Sequence, residues 1–209
     1  MSTPNEILGG KPKITYFDIP SIGRGEVIRL FFKAAGVEYQ DHRIPVSDWA
    51  ATKPMLTETM NPTGHIPVVS LNGIHYWAHI PMLRYFAKKL GQFNGNSDEE
   101  DFFIDQILDI CNDWRFSWAA CLSGEKKLEA HQAYLKKVIG VFDKLAQVGL
   151  LGEQITIAEL YVYQVLHEDL LLIDNKAPLK GYHGLLQLTQ LVESHPRIAE
   201  YIKVRPTRK

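Results

Sequence analysis

A change of periodicity near the middle of the chain constrains its fold more than any other feature. From Ile14 to about Gly91, short apolar runs alternate with helical patterns. Beyond Ser97 the pattern is helical throughout. The polar stretch Gln92-Phe93-Asn94-Gly95-Asn96-Ser97 between them reads as a linker. The predicted partition is an α/β domain over residues 1–91, with 1–12 a flexible extension, a linker over 92–98, and an all-α domain over 99–209.

Within the first domain, Ile14-Thr15-Tyr16-Phe17 predicts a strand. Val27, Leu30, Phe31, Ala34 and Ala35 recur at helical spacing, and Gly36 is a suitable stop. Glu38–Ile44 alternates weakly, as a second strand does, and Asp48 is placed to cap a helix from Trp49. Ile66–Leu71, Asn72-Gly73 and Ile74–Trp77 spell strand, tight turn and strand. Pro81–Leu90 predicts a helix with proline in its first turn. The order is βαβ, an irregular helix, then ββα. In the second domain, long helices are predicted over Asp98–Leu122 and Glu125–Gln147. A third opens at Thr156-Ile157-Ala158-Glu159, a capping box. Shorter helices follow over Leu185–Ser194 and Pro196–Lys203, and Arg205–Lys209 is expected to fray.

Composition excludes several classes. Lys and Arg total 23 against 24 acids, a net charge of −1, which argues against a nucleic-acid binder. The start MSTPNEILGGKPK has no apolar signal core, and no apolar run is long enough for a bilayer, so no membrane partner is expected. The two cysteines, Cys111 and Cys121, are expected on different helix faces, which suits neither a metal pair nor a disulfide; with no export signal and too few thiols for a scaffold, a reducing cytoplasm is expected. No Cys-x-x-Cys and no Gly-x-Ser-x-Gly elbow occurs, and His75 and His79 straddle a strand end rather than share a helix face, so no metal is expected.

The domain order and four motifs in sequence resemble the tyrosine-type glutathione transferases, with a sigma-like leaning. These are Ile14-Thr15-Tyr16-Phe17 with Gly23-Arg24-Gly25-Glu26-Val27-Ile28-Arg29, Asn61-Pro62-Thr63-Gly64-His65-Ile66-Pro67-Val68-Val69, Arg84-Tyr85-Phe86-Ala87, and the Thr156–Glu159 box. The resemblance runs from about Lys13 to Pro206. It implies a thioredoxin-like first domain that binds glutathione as co-substrate, and a helical domain lining an electrophile pocket.

The resemblance also implies site residues. Tyr16 stands where the family places the hydroxyl that stabilises the glutathione thiolate, with Arg24 supporting it electrostatically and Ser21 as the competing hydroxyl. A free thiol of pKa ~8.5 is only about 3% ionised at pH 7. Lowering that pKa by about 2 is worth roughly 2.7 kcal/mol, and one donor to an anion supplies about 1.5–3 kcal/mol. Trp49 and Lys53 match a pair at the glycine end. Ile66-Pro67 is the expected cis bond that turns the Ile66 backbone towards the cysteinyl part, with His65 beside it. Ala78 and His79 occupy the positions of a Gln-Ser pair that grips the γ-glutamyl carboxylate. Ala78 brings no side-chain hydrogen bond there, whereas the positive end of the helix still favours an anion. Asp113 matches an acid that reaches the neighbour's glutathione in a homodimer, and Trp114, Phe116 and Trp118 read either as pocket wall or as core packing. The implied function is conjugation of glutathione to a small apolar electrophile, or isomerisation through it. A ligand-binding or structural protein on the same fold is the alternative.

Overall fold

The structure, a computed structural model, describes residues 2–125, 127–173 and 179–206. It divides into two compact units: residues 1–93 with 196–209, and 94–195.

The first unit is built on a four-stranded sheet of order β2-β1-β3-β4. Strand β1 (Lys13–Phe17) pairs in parallel with β2 (Gln40–Ile44), aligning Ile14 with Asp41. A parallel pair needs a crossover, and α2 (Arg24–Ala34) supplies it, burying Val27, Leu30, Phe31 and Ala34 as their spacing predicts. Gly36, at φ 71°, ends the turn beyond it. On its other side β1 pairs antiparallel with β3 (Val68–Leu71), which pairs with β4 (Ile74–Trp77). Asn72 and Gly73 both have positive φ, 52° and 79°, as a two-residue hairpin that follows the sheet's twist requires. Helix α3 (Trp49–Thr59) lies between β2 and β3 in sequence, and α4 (His79–Leu90) closes on Gly91 at φ 64°.

Three expectations about the ends of the chain are corrected. Residues 2–12 are not a flexible extension. They contain α1 (Pro4–Leu8), whose Thr3 and Glu6 complete a reciprocal cap and whose Leu8 is 1% exposed. Asn5 fastens it, donating to the Glu38 carbonyl at 2.8 Å and accepting the Glu38 N–H at 2.9 Å. The last helix, α9 (Pro196–Val204), belongs to the first unit rather than the helical one, because it packs on α2. Arg205 is not frayed: it is buried against Glu26, whereas the rest of the expected fray, 207–209, lies outside the described residues.

The second unit holds α5 (Asp98–Leu122), α6 (Leu128–Gln147), α7 (Ile157–Ile173) and α8 (His183–Ser194). Helix α5 packs on α6 and α7, and α6 on α8. At the predicted capping box Ala158 N–H donates to the Thr156 hydroxyl at 3.1 Å, and Thr156 N–H donates to Glu159 at 2.8 Å. Glu159 also accepts the Gly152 N–H at 3.1 Å, so one buried carboxylate secures both the helix start and the loop before it. Among the described residues no helix is long and apolar enough to cross a membrane.

Candidate active site

Strand β1 ends one residue past Tyr16, so the phenol leaves the sheet beside the N-terminus of α2. The ring is 6% exposed. Two glycines make its seat. A Cβ on Gly25 would lie 2.4 Å from the ring, and one on Gly23 would lie 2.4 Å from the hydroxyl, so only hydrogen fits at either position. The Arg24 backbone N–H donates to the Tyr16 oxygen at 3.0 Å. A hydroxyl that accepts a bond is polarised and becomes a stronger donor itself. The Arg29 guanidinium stands 5.8 Å from the ring centroid, adding positive charge to the same phenol.

One of the other candidates is linked to this phenol through Phe17. Phe17 meets Tyr16 edge-on at 5.6 Å and Trp49 edge-on at 5.0 Å, so Trp49, the first residue of α3, continues an aromatic row from the site. Lys53, one turn further and exposed, runs its stem beside Gly64, where a Cβ would come within 3.0 Å of its Cε. The Ile66–Pro67 bond is cis, as expected. The turn before it is organised by Asn61, 2% exposed, which donates to the His65 carbonyl at 2.7 Å and accepts from Thr63 N–H at 3.0 Å. His65 itself is exposed, its Nδ1 3.2 Å from the Thr63 hydroxyl.

Ala78 precedes α4 at φ 67°, ψ 101°, a left-handed conformation that a non-glycine residue adopts at a cost of about 1–3 kcal/mol. His79 is 7% exposed and opens the helix. The competing hydroxyl, Ser21, is engaged elsewhere. It is 2% exposed at φ 40°, and its hydroxyl donates to the Pro206 carbonyl.

In the helical unit the aromatic cluster separates. Trp114 is core: it is fully buried, stacks on Phe142 at 5.7 Å and donates from its indole to Asp169 at 2.5 Å. The same carboxylate faces His131 Nε2 at 3.0 Å, whose Nδ1 lies 3.1 Å from the Ser117 hydroxyl. Phe116 is 56% exposed. Trp118 is buried beneath the Arg115 guanidinium, 5.1 Å from its ring, and its indole N–H meets no acceptor among the described residues. Asp113 is exposed on α5. A cavity of about 420 Å³ opens in this unit over Phe103, Ile104, Ile107, Leu150 and Leu151, and none of the three predicted aromatics lines it.

Sequence reasoning passed over Gly23, Gly25 and Asn61 as site-building residues, although all three stood in quoted motifs. Their role rests on close approach and buried hydrogen bonding, which a motif string does not display. Glu26 and Arg29 were overlooked for a different reason. Their partners Asp41, Tyr201 and Arg205 come from distant segments. Among the described residues no group of three His, Cys, Asp or Glu side chains is placed to hold a metal.

A thioredoxin-like sheet carrying a seated tyrosine, followed by a helical bundle, defines a class, and residues 112–205 match the family model "Glutathione S-transferase, C-terminal domain". The chain belongs to the glutathione S-transferase superfamily. Hematopoietic prostaglandin D synthase of Gallus gallus is 30% identical over 202 residues, covering 93% of this chain and 96% of the relative. S-crystallin 4 of Enteroctopus dofleini is 27% identical, over 88% and 92% of the two chains. The crystal structure of the glutathione S-transferase from Ascaris lumbricoides superposes with a TM-score of 0.78 at 27% identity, over 95% and 98%.

Proposed function

We propose that this chain is a glutathione-dependent enzyme in which Tyr16 holds the glutathione sulfur as its thiolate, for addition to a small apolar electrophile or for isomerisation of one. The observation that carries this reading is the Tyr16 hydroxyl, pinned by the Arg24 N–H at 3.0 Å between two glycines at the mouth of α2. The thiolate, not the thiol, is the nucleophile. A polarised phenol O–H stabilises that anion by about 1.5–3 kcal/mol. The Arg24 side chain adds positive charge. Trp49 and Lys53 take the glycine end, the Ile66 backbone before Pro67 takes the cysteinyl amide, with His65 alongside, and the α4 N-terminus with His79 takes the γ-glutamyl carboxylate. This reading takes the enzyme as a cytoplasmic homodimer, without nucleic-acid, membrane or metal partners, that detoxifies electrophiles. In it Asp113 reaches the glutathione amine bound by the partner.

Tyr16→Phe tests the reading. It should raise the pKa of bound glutathione by about 1–2 and lower kcat/KM towards chlorodinitrobenzene about ten- to a hundredfold. Full activity in that variant rejects the assignment.

A second reading, a binding or structural protein, is favoured by Ala78, which offers no side-chain donor where the carboxylate would sit. Calorimetry separates the two: no heat at millimolar glutathione favours the binder, and a saturable exotherm favours the enzyme.

A further inference from the structure

The Tyr16 hydroxyl is held by a segment that does not hold itself. The loop from Asp18 to Gly23 passes through Ser21 at φ 40°, a left-handed backbone that costs a non-glycine residue free energy. Its hydroxyl is anchored by the carbonyl of Pro206, 185 residues away. Three residues after Gly23 comes Glu26, in the first turn of α2, whose N–H bonds the Gly23 carbonyl at 3.0 Å. That carboxylate is 0% exposed. Burial pushes its pKa up, and Arg29 and Arg205 pull it back down. It accepts from the Tyr201 hydroxyl at 2.9 Å, from Arg29 at 3.3 Å and, at the longer distance of 3.5 Å, from Arg205. A buried carboxylate stripped of partners is strongly destabilising. Tyr201 and Arg205 therefore fix the first turn of α2 from below, while Pro206 fixes the loop leading into it. Arg24, whose N–H meets the phenol, lies between those two anchors.

We infer that the C-terminal segment Tyr201–Pro206 is a positioning element for catalysis: by gripping Ser21 and Glu26 it sets the Arg24 N–H against the Tyr16 oxygen. The inference rests on the reading of Tyr16 as the thiolate donor. Arg205, Tyr201 and Ser21 are positioning residues: they act on the phenol through Glu26 and the loop before α2. Losing an anchor lets the α2 N-terminus drift from the phenol. The sulfur anion is then held less well, without any change in the surfaces that bind the peptide of glutathione.

The test compares Arg205→Ala, Arg205→Lys and Ser21→Ala with Tyr16→Phe. The readouts are thiolate absorbance of bound glutathione against pH, the kcat and KM for glutathione, and Tm. Arg205→Ala and Ser21→Ala should each raise the thiol pKa by about 0.5, with the loss in kcat and KM for glutathione unchanged. Arg205→Lys should restore most of the wild-type value, because a cation again faces Glu26. If both variants lower Tm but leave the thiol pKa at the wild-type value, the tail is structural only and the inference is overturned. If Arg205→Ala does not fold, Ser21→Ala, which removes a single hydroxyl, decides on the same readout. If Tyr16→Phe itself leaves the thiol pKa unmoved, the reading of Tyr16 falls and takes this inference with it.

Discussion

At the scale of single residues, the site is defined as much by missing atoms as by present ones. Gly25 gives Tyr16 its place, and Gly25→Ala would put a methyl 2.4 Å from the ring. We predict a loss of at least tenfold in kcat/KM and about 1–3 kcal/mol of stability, read by chlorodinitrobenzene turnover and urea unfolding. The cysteines give a second prediction. Cys111 is fully buried, and burial pushes its thiol well above the ordinary range, whereas Cys121 is partly exposed. One thiol per chain should react with an aromatic disulfide reagent in the native state, and both after denaturation. The turn that brings Arg24 to Tyr16 was legible through the motif that contains them. The grip of Glu26 on Tyr201 was not, because a bond across 175 residues leaves no local pattern.

At the scale of elements, legibility followed locality. The Asn72-Gly73 hairpin and the long α5 matched their predicted bounds closely, since turn chemistry and periodicity act within a few residues. Helix α1 went unread although Thr3-Pro4-Asn5-Glu6 carries the same capping signature as Thr156–Glu159, because five residues are too few to show a period. The layer to which α9 belongs was unreadable for another reason: periodicity reports an apolar face, not what covers it. The capping box itself invites a test. Glu159→Ala removes the acceptor for the Thr156 and Gly152 N–H groups, both part of a buried junction. It should cost about 1–3 kcal/mol, with hydrogen exchange accelerated first in the opening turn of α7.

At the scale of the whole molecule, pH reveals which tyrosines the fold has enclosed. Burial raises both Tyr39 and Tyr201, with the charges of Asp41 and Glu26, respectively, adding to the effect. In the folded chain both keep their protons where tyrosines of an unfolded chain, with pKa ~10, lose theirs. Stability from these groups is therefore complete below about pH 10 and falls as pH rises beyond it. Each contributes a slope of about 1.4 kcal/mol per pH unit there. Denaturant unfolding between pH 9 and 11 should show this, and Tyr201→Phe should lower the slope by up to about 1.4 kcal/mol per pH unit.

Because α9 completes the first unit, the chain interrupts that unit with 94–195 before returning to finish it. During synthesis the sheet and α2 emerge early, yet Glu26 stays without two of its partners until Tyr201 and Arg205 have been made. Nascent chains must carry an unfinished first unit until the whole of 94–195 has been made. A chain cut before Tyr201 would spoil the part made first.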